Sequence, residues 1–328
     1  MGMSIKKISE LSGVSVATVS RVINKKGKYS KATEEKVLKI IQDHHYIPNL
    51  VARGLRTKTS AIIGIIVPDI TNEYFAKIVL SIQKELFAQN YSAIICNTNE
   101  QSLLEKQHLD FLLAQNVSGM IMVGHPGNGF TKKNIPNIYI DRKPQRFDDN
   151  YTLIMSDNIQ GGYLAGKELL RKGCRQIAAI MDMRKLALGQ DRYQGFCKAL
   201  SEQGIQHDAD LLYGIETVDF QNGERAMQKL LQSKPHIDGV FCSTDWVALG
   251  AIKALQANRL RIPEDVKIVG FDNISIAELA QTPLTTIHQH TEQMAREAVQ
   301  ALMQLIHKNS VDFTIKKLPV KLIPRATT

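Results

Sequence analysis

From residue 61 onward, short apolar runs alternate with longer segments of helical periodicity, and this alternation restricts the fold more than any other feature. AIIGIIV at 61–67 and VKIVG at 266–270 mark its ends. Similar runs lie between them at 92–96, 119–123, 137–140, 176–181 and 239–242. Short apolar runs separated by helices predict parallel strands covered by helices on both faces. We expect an α/β fold with two doubly wound parallel sheets, whose strand carboxyl ends face each other across a cleft.

The first 46 residues carry three short helical patterns in place of these apolar runs. Ser4, Ser15 and Ser30 each stand where a side chain can cap the start of a helix. Gly13 separates the first helix from the second, which runs to about Asn24. A short helix, a tight glycine turn and a second helix form the helix-turn-helix arrangement, whose second helix fits the major groove of DNA.

The second of these helices has two different faces. Val19, Val22 and Ile23 recur at helical spacing and are predicted to enter a small core. The other face keeps side chains of the kind that read bases, because Arg can bond guanine twice and small apolar groups can meet a thymine methyl. These side chains are Val16, Ala17 and Arg21. A plain three-helix core is the alternative interpretation.

The charge distribution favours nucleic-acid binding over that alternative. Residues 1–60 contain twelve Lys and Arg against four Asp and Glu, a net charge of +8. The remaining residues contain 29 against 28, a net charge of +1. A concentrated basic segment beside a neutral one is typical of a nucleic-acid-binding head, although a solvated basic surface would give the same total.

The segment SIKKISELSGVSVATVSRVIN, the spacing to YIPNLVARGL and the α/β remainder together resemble the LacI family of bacterial transcription regulators. The resemblance covers essentially the whole chain. It implies that Val16, Ala17 and Arg21 approach base edges. It also implies that a set of polar and basic residues lies near DNA phosphates, namely Ser4, Ser15, Thr18, Asn24, Lys28 and Ser30.

The segment PNLVARGLR, within 47–60, is too short to form a stable helix alone, and it contains Gly54. The family resemblance implies a hinge helix that orders on DNA and pairs with its mate from a second subunit. Leu55 would then insert at a base step in the minor groove, with Asn49 and Ala52 contacting that groove. The alternative is a linker helix packed on its own protein. We therefore predict a helix-turn-helix head at 1–46, a hinge helix and linker at 47–60, and a two-lobed domain at 61–328.

The two-lobed domain is expected to be similar to periplasmic sugar-binding proteins. Sugar sites combine carboxylate, amide or guanidinium groups with an aromatic face. The family positions fall here on Asn72, Tyr74, Phe75, Asp141, Arg142, Arg192, Phe220, Asp245, Trp246, Asp272 and Gln289. Each residue taken singly has a structural alternative, as a helix cap or a core side chain. Arg184 and Lys185 near the expected mouth suit either a phosphorylated sugar or a solvated loop.

We therefore expect a dimeric repressor of a sugar-utilisation operon, which binds a pseudo-palindromic operator and is switched by a sugar or sugar phosphate in the cleft. The alternatives within this class are a global carbon-catabolite regulator controlled by a phosphorylated carrier protein, and a repressor that responds to purines or nucleosides. The chain ends at LIPRATT without a heptad tail, which predicts a dimer and no coiled-coil tetramer.

Other function classes lack their sequence signals. GGYLAGKE at 161–168 has Glu168 where a phosphate loop needs Ser or Thr, and it is predicted to pack a helix instead. His288 and His290 alternate as in a strand with no third metal ligand nearby. We expect no enzyme, cofactor or metal site. No signal peptide or membrane span is evident, which predicts a cytoplasmic protein, and the four Cys residues are expected to be reduced.

Overall fold

The computed structural model describes residues 3–23, 25–46, 60–124, 135–144, 151–184, 188–234, 236–308 and 314–328. The chain divides into two compact units, Met1–Ala61 and Ile62–Thr328. Each unit has hydrophobic clusters of its own. Among the described residues, no helix is long and apolar enough to cross a membrane. All four cysteines are free thiols, as predicted.

The first unit contains three helices, α1 (Ile5–Ser12), α2 (Val16–Ile23) and α3 (Lys31–Asp43). The predicted caps form: the Ser4 hydroxyl accepts a hydrogen bond from the Lys7 amide at 3.2 Å, and the Ser30 hydroxyl accepts one from Thr33 at 3.2 Å. Gly13 ends α1 in the left-handed region, with φ of 67°. The helices enclose a small core, formed by Ile8, Val19, Val22 and Val37. Helix α2 thereby buries one face and exposes the other.

The second unit contains two six-stranded sheets, each of which forms one lobe. The first sheet has the strand order β11-β5-β4-β3-β1-β2 and is parallel throughout. Its strands are β1 (Ile62–Val67), β2 (Ser92–Asn97), β3 (Gly119–Val123), β4 (Asn137–Ile140), β5 (Leu153–Ser156) and β11 (Ile315–Leu318). Its helices are α4 (Glu73–Ala88), α5 (Ser102–Ala114) and α11 (Thr291–Lys308).

The second sheet has the order β12-β10-β9-β8-β6-β7, with β12 antiparallel to β10. Its strands are β6 (Ile177–Asp182), β7 (Leu212–Ile215), β8 (Gly239–Cys242), β9 (Lys267–Asp272), β10 (Thr285–Gln289) and β12 (Val320–Ile323). Its helices are α6 (Asn158–Arg171), α7 (Gly189–Ser201), α8 (Phe220–Ser233), α9 (Asp245–Ala257) and α10 (Ser275–Leu279). The α/β fold with doubly wound sheets is the one that the apolar runs predict.

In the described part of the chain, the backbone passes between the lobes after Ser156, after Gln289 and after Leu318. The lobes also touch through a loop of the second lobe. Its Ile274 is buried in the core of the first lobe. The Glu73 carboxylate at the start of α4 accepts hydrogen bonds from the Ser275 amide at 2.8 and 3.0 Å. These contacts hold the lobes together beside the crossing strands.

The glycines of GGYLAGKE pack helix α6 closely against its neighbours, which confirms the packing interpretation. A Cβ on Gly161 would lie 2.5 Å from the Phe271 ring of the sheet. A Cβ on Gly162 would lie 1.7 Å from the Arg192 carbonyl oxygen of α7. Backbone atoms cannot rotate aside as a side chain can, so the approach of α6 and α7 requires glycine at this position.

We expect Gly162→Ala to lower the free energy of unfolding by about 3 kcal/mol, because the added methyl group forces α6 and α7 apart. Urea unfolding followed by circular dichroism measures this change. Gly214→Ala is the matched control, since its Cβ would meet only the flexible Met183 side chain at 3.3 Å. A loss at Gly162 no larger than that at Gly214 would contradict the prediction.

Candidate functional site

A cavity of about 430 Å³ lies between the two lobes. We call it the cleft. It lies where the strands of both sheets end, as the doubly wound topology predicts. Seven of the eleven predicted ligand-binding residues line it: Asn72, Tyr74, Phe75, Asp141, Arg142, Arg192 and Asp272. The fold therefore brings together side chains that are up to 200 positions apart in the sequence.

Two of these residues are aspartates held at strand ends in an unusual backbone conformation. Asp141 directly follows β4 and Asp272 ends β9. Their φ angles are 77° and 110°, in the region that L-residues rarely adopt. Such strain is found preferentially at ligand sites, because the surrounding structure must maintain it. Both carboxylates are almost completely buried, so the fold fixes their positions.

A chain of buried hydrogen bonds joins the lobes at the floor of the cleft. The Tyr74 hydroxyl donates a hydrogen bond that is shared between Asp141 at 2.9 Å and the side-chain oxygen of Gln289 at 3.2 Å. The Gln289 amide donates to Asp272 at 2.7 Å. Burial, and then the Asp141 charge, raise the pKa of Tyr74 well above its usual value, so the hydroxyl stays protonated and donates. Any movement between the lobes must break or shift the Tyr74–Gln289 contact.

Arg192 is a buried cation of the cleft whose guanidinium is held in place by several contacts. Its guanidinium stacks on the Phe271 ring at 3.6 Å from the centroid, and its Nε donates to Asn158 at 2.8 Å. Nη1 donates to the Ser243 carbonyl and lies 3.9 Å from Asp272. Nη2 makes no hydrogen bond to any residue that the structure describes. A rigid planar donor group with one nitrogen free suits a hydroxyl-rich ligand.

Burial raises the pKa of Asp272 to about 7; the Arg192 charge opposes this shift and the Asp141 charge adds to it. An unfolded Asp has a pKa of about 4. The folded protein therefore keeps a proton that the unfolded chain has lost between about pH 4 and pH 7. Stability falls as the pH rises through this range and levels off above it.

We expect Asp272→Asn to become more stable relative to the natural protein as the pH rises from 5 to 8, because asparagine cannot ionise. Urea unfolding at several pH values measures the difference. Asp265→Asn is the control, since Arg261 lowers the pKa of Asp265 to about 2 and it stays ionised throughout this range. A constant difference between the natural protein and Asp272→Asn would contradict the assigned pKa shift.

An ion network that joins the two lobes lines the cleft. Arg184 of the second lobe donates to Glu100 of the first lobe at 2.5 Å and to both carboxylate oxygens of Asp182 at 2.8 Å. Arg142 donates to the other oxygen of Glu100 at 3.0 Å. Although burial opposes it, the two guanidiniums lower the pKa of Glu100. Arg184 is thus held by carboxylates, and Lys185 lies outside the described residues.

In the head, the outward face of α2 carries the predicted base-reading residues. Ala17 and Arg21 are exposed and Val16 is half-buried. Ser15 and Thr18 bond each other at 2.9 Å beside them. Ser4, Lys28 and Ser30 are also exposed. The remaining predicted DNA contacts lie outside the described residues, namely Asn24, Asn49, Ala52 and Leu55.

Known proteins match both units. The sequence pattern "Bacterial regulatory proteins, lacI family" matches residues 4–49, and "Periplasmic binding protein-like domain" matches 167–328. The ribose operon repressor of Halalkalibacterium halodurans is 35% identical over 99% of this chain and 97% of its own. The chain belongs to the LacI family. The PurR repressor of Histophilus somni is 34% identical over 98% of each chain.

Solved structures of LacI-family members share this fold. The lac repressor dimer bound to operator and the anti-inducer ONPF superposes with a TM-score of 0.87 at 26% identity, over 100% of this chain and 99% of that one. An Enterococcus faecium regulator with bound ribose gives a TM-score of 0.72 at 30% identity, over 81% and 98%. This chain is thus a DNA-binding transcription regulator with a periplasmic-binding-protein-like domain.

Four residues predicted from the LacI family do not line the cleft in this chain: Phe220, Asp245, Trp246 and Gln289. The Phe220 ring lies under the Lys253 ammonium, with 5.4 Å between Nζ and the ring centroid. Asp245 is fully buried and accepts hydrogen bonds from the Thr286 hydroxyl and the Ile274 amide. Its carboxylate therefore holds the start of α9 to β10 and to the loop after β9. Trp246 packs from α9 against the core of the other lobe. Gln289 belongs to the hydrogen-bond chain under the cleft floor.

Other cleft residues were not predicted. They include Asp69, Asn99, Glu100, Asp182, Thr217, Ser243 and Thr244. Each of them lies within about three residues of the carboxyl end of a strand. This position along the sequence is the signal that would have identified them. The Ser243 hydroxyl is buried and has no hydrogen-bond partner among the residues that the structure describes. A buried hydroxyl without a hydrogen-bond partner lowers the stability of the fold unless a ligand or a water molecule supplies the missing hydrogen bond.

Proposed function

We propose that this protein represses a sugar-utilisation operon as a homodimer and that a neutral sugar in the cleft switches its affinity for the operator. The observation that carries this proposal is the set of fixed donors and acceptors in the cleft, namely the buried carboxylates of Asp141 and Asp272 and the stacked guanidinium of Arg192. Sugar hydroxyls both donate and accept, so they can bond carboxylates and a guanidinium at once.

The charge balance of the cleft favours a neutral ligand over a phosphorylated one. Three guanidiniums line it, from Arg142, Arg184 and Arg192. Five carboxyl groups line it as well, from Asp69, Glu100, Asp141, Asp182 and Asp272. Because Arg142 and Arg184 already bond carboxylates, a phosphate would meet an excess of negative charge. The repressor and the ribose-bound regulator matched above suggest a pentose as the first sugar to test.

The homodimer in this proposal is supported by large apolar side chains that the unit Ile62–Thr328 exposes to solvent. Leu80 and Phe87 share one face of α4 and are 68% and 81% exposed, and Leu279 of α10 is 79% exposed. Large apolar side chains that share one exposed helix face, as Leu80 and Phe87 do, mark an association surface. Sedimentation of the natural protein and of Leu80→Asp tests this: the natural protein should be a dimer and the variant largely a monomer.

The direct test is a sugar titration of the protein alone and of its DNA complex. Because Trp246 of one lobe packs on the core of the other, its fluorescence should change when the lobes move. We expect a saturable change with a neutral sugar such as D-ribose, much weaker binding of D-ribose 5-phosphate, and an altered affinity for operator DNA. Coupling of this kind typically amounts to about 1–3 kcal/mol. Tighter binding of a phosphorylated sugar or a purine would contradict the proposal.

The same titrations distinguish the two alternative kinds of regulator. A purine or nucleoside response would place the protein with the purine-responsive repressors. A flat response to every small molecule, with DNA binding stimulated by a phosphorylated carrier protein, would identify a carbon-catabolite regulator. Binding to the chromosome implies that the protein works in the bacterial cytoplasm.

A further inference from the structure

A second cavity, of about 490 Å³, lies beside the strand crossing that follows β10. We call it the hinge cavity. It is lined by Lys77 of α4, by His288 of β10 and His290 just after it, and by Arg296 of α11. It shares Tyr74 and Asp272 with the cleft. The buried hydrogen-bond chain of the cleft floor therefore separates two cavities.

Basic groups dominate the hinge cavity. The positive charges of Lys77, Lys321 and Arg325 all act on His288. The Lys77 ammonium pairs with a Glu73 carboxylate oxygen at 2.6 Å. The Nε of Arg296 lies 3.6 Å from Glu85, so most of the Arg296 N–H donors remain available to a ligand. The acidic groups that line the cavity are Glu292, which is exposed to solvent, and Asp272, which carries a proton for much of the time at neutral pH.

The hydrogen bonds of Asn273 fix which nitrogen of His288 donates. Arg325 donates to the Asn273 side-chain oxygen at 2.8 Å, so the amide nitrogen must be the group that faces His288. That nitrogen donates to Nδ1 of His288 at 3.1 Å. Burial, together with the surrounding positive charges, lowers the pKa of His288 and keeps it neutral. A neutral imidazole that accepts at Nδ1 carries its proton on Nε2, which is left as a donor.

The imidazole of His290 adds a further group. It contacts His288 edge-on, with 4.9 Å between the ring centroids. It makes no hydrogen bond to any residue that the structure describes. No group of three metal-ligating side chains occurs among the described residues. Two imidazoles, an ammonium and a guanidinium in one cavity present donors to an anion with several acceptor oxygens.

We propose that the hinge cavity binds the phosphate group of a small phosphorylated metabolite. A phosphate monoester has three strong acceptor oxygens and a charge of about −1.5 to −2 at pH 7. It therefore matches Lys77 and Arg296 in charge, and the donors of these two side chains and of the His288 imidazole in hydrogen-bonding capacity. The cavity is large enough for a small organic group beyond the phosphate. This site is distinct from the sugar site and does not depend on it.

Titration with inorganic phosphate tests the proposal directly, without sugar or DNA. At constant ionic strength, with chloride as the replaced anion, calorimetry or phosphorus NMR should show saturable binding to the full-length protein. The double variant Lys77→Gln/Arg296→Gln should weaken this binding at least tenfold. Both side chains are about half exposed, so the variant should fold normally, as circular dichroism will show.

Two controls locate the site. Arg184→Gln removes a guanidinium from the cleft, and Lys253→Gln removes an exposed lysine that pairs with Glu224 elsewhere. Both should bind phosphate within twofold of the natural protein. The proposal is overturned if the natural protein shows no saturable binding, or if the double variant binds as well as the natural protein. Binding lost with Arg184→Gln instead would place the anion in the cleft and would also overturn it.

Discussion

Arg21→Ala should abolish sequence-specific operator binding while leaving the protein folded. Arg21 is exposed on α2, and the head core is formed by other residues, so truncation removes no packing there. A bidentate contact to guanine contributes about 1–3 kcal/mol of discrimination. A dimer uses the contact in both half-sites, so the expected loss is about 2–6 kcal/mol, or roughly thirtyfold to ten-thousandfold in affinity.

Fluorescence anisotropy with a DNA site selected from random sequence by the natural protein measures this loss. Arg21→Lys is an informative companion, because it keeps the charge and loses the planar pair of donors. Lys39→Ala is the charge-matched control on α3, where the side chain is also exposed. It should weaken specific and non-specific binding alike, by an amount that added salt reduces. Operator affinity of Arg21→Ala within twofold of the natural protein would remove Arg21 from the base-reading face.

Arg192→Ala should lower the affinity for the effector at least a hundredfold. The guanidinium is stacked on Phe271 and tied to Asn158, so its free donor is already oriented before the ligand arrives. Hydrogen bonds that involve a charged group contribute about 1.5–3 kcal/mol each. Two such bonds to ligand hydroxyls correspond to about 3 kcal/mol or more, which is a factor of at least a hundred in affinity.

Because Arg192 is buried, a loss of fold must be separated from a loss of binding. Arg192→Lys preserves the charge beside Asp272 but lacks the Nε that bonds Asn158, so it should fold and still bind poorly. Arg171→Ala, which removes an exposed arginine of α6, is the control and should bind normally. Calorimetric titration with the sugar, together with operator binding by the same samples, measures both properties. Effector affinity of Arg192→Lys equal to that of the natural protein would contradict the assigned role.

The two lobes are coupled by contacts that effector binding can bias. The Arg184–Glu100 ion pair and the Tyr74–Gln289 contact each join one lobe to the other. Under the proposed function, a ligand that bonds Arg192 of one lobe and Asp141 of the other would favour the arrangement in which these pairs are formed. A ligand shifts such an equilibrium only by its difference in affinity for the two states, so the contacts between the lobes set the size of the response.

The sequence by itself determined the class of fold and the form of the head. Apolar runs and helical periodicity arise from burial that repeats along the chain, so they can be recognised without coordinates. The runs at 61–67, 119–123 and 266–270 became β1, β3 and β9. The strands that were not predicted, such as LYGI in β7 and IKKL in β11, are only four residues long, and β11 carries two lysines. Their strand conformation depends on neighbouring strands, which the local sequence does not specify.

The tertiary structure alone decided which polar residues meet. Glu100 and Arg184 are 84 positions apart, and Tyr74 and Gln289 are 215 apart. Asp245 and Asp272 both occur at strand ends, yet the first holds α9 to β10 and the second lines the cleft. Trp246 follows a strand too, but its ring turns to the core of the opposite lobe. A sequence pattern gives the position of a residue along its own element. The direction of the side chain depends on how the elements pack, because contacts between distant segments determine it.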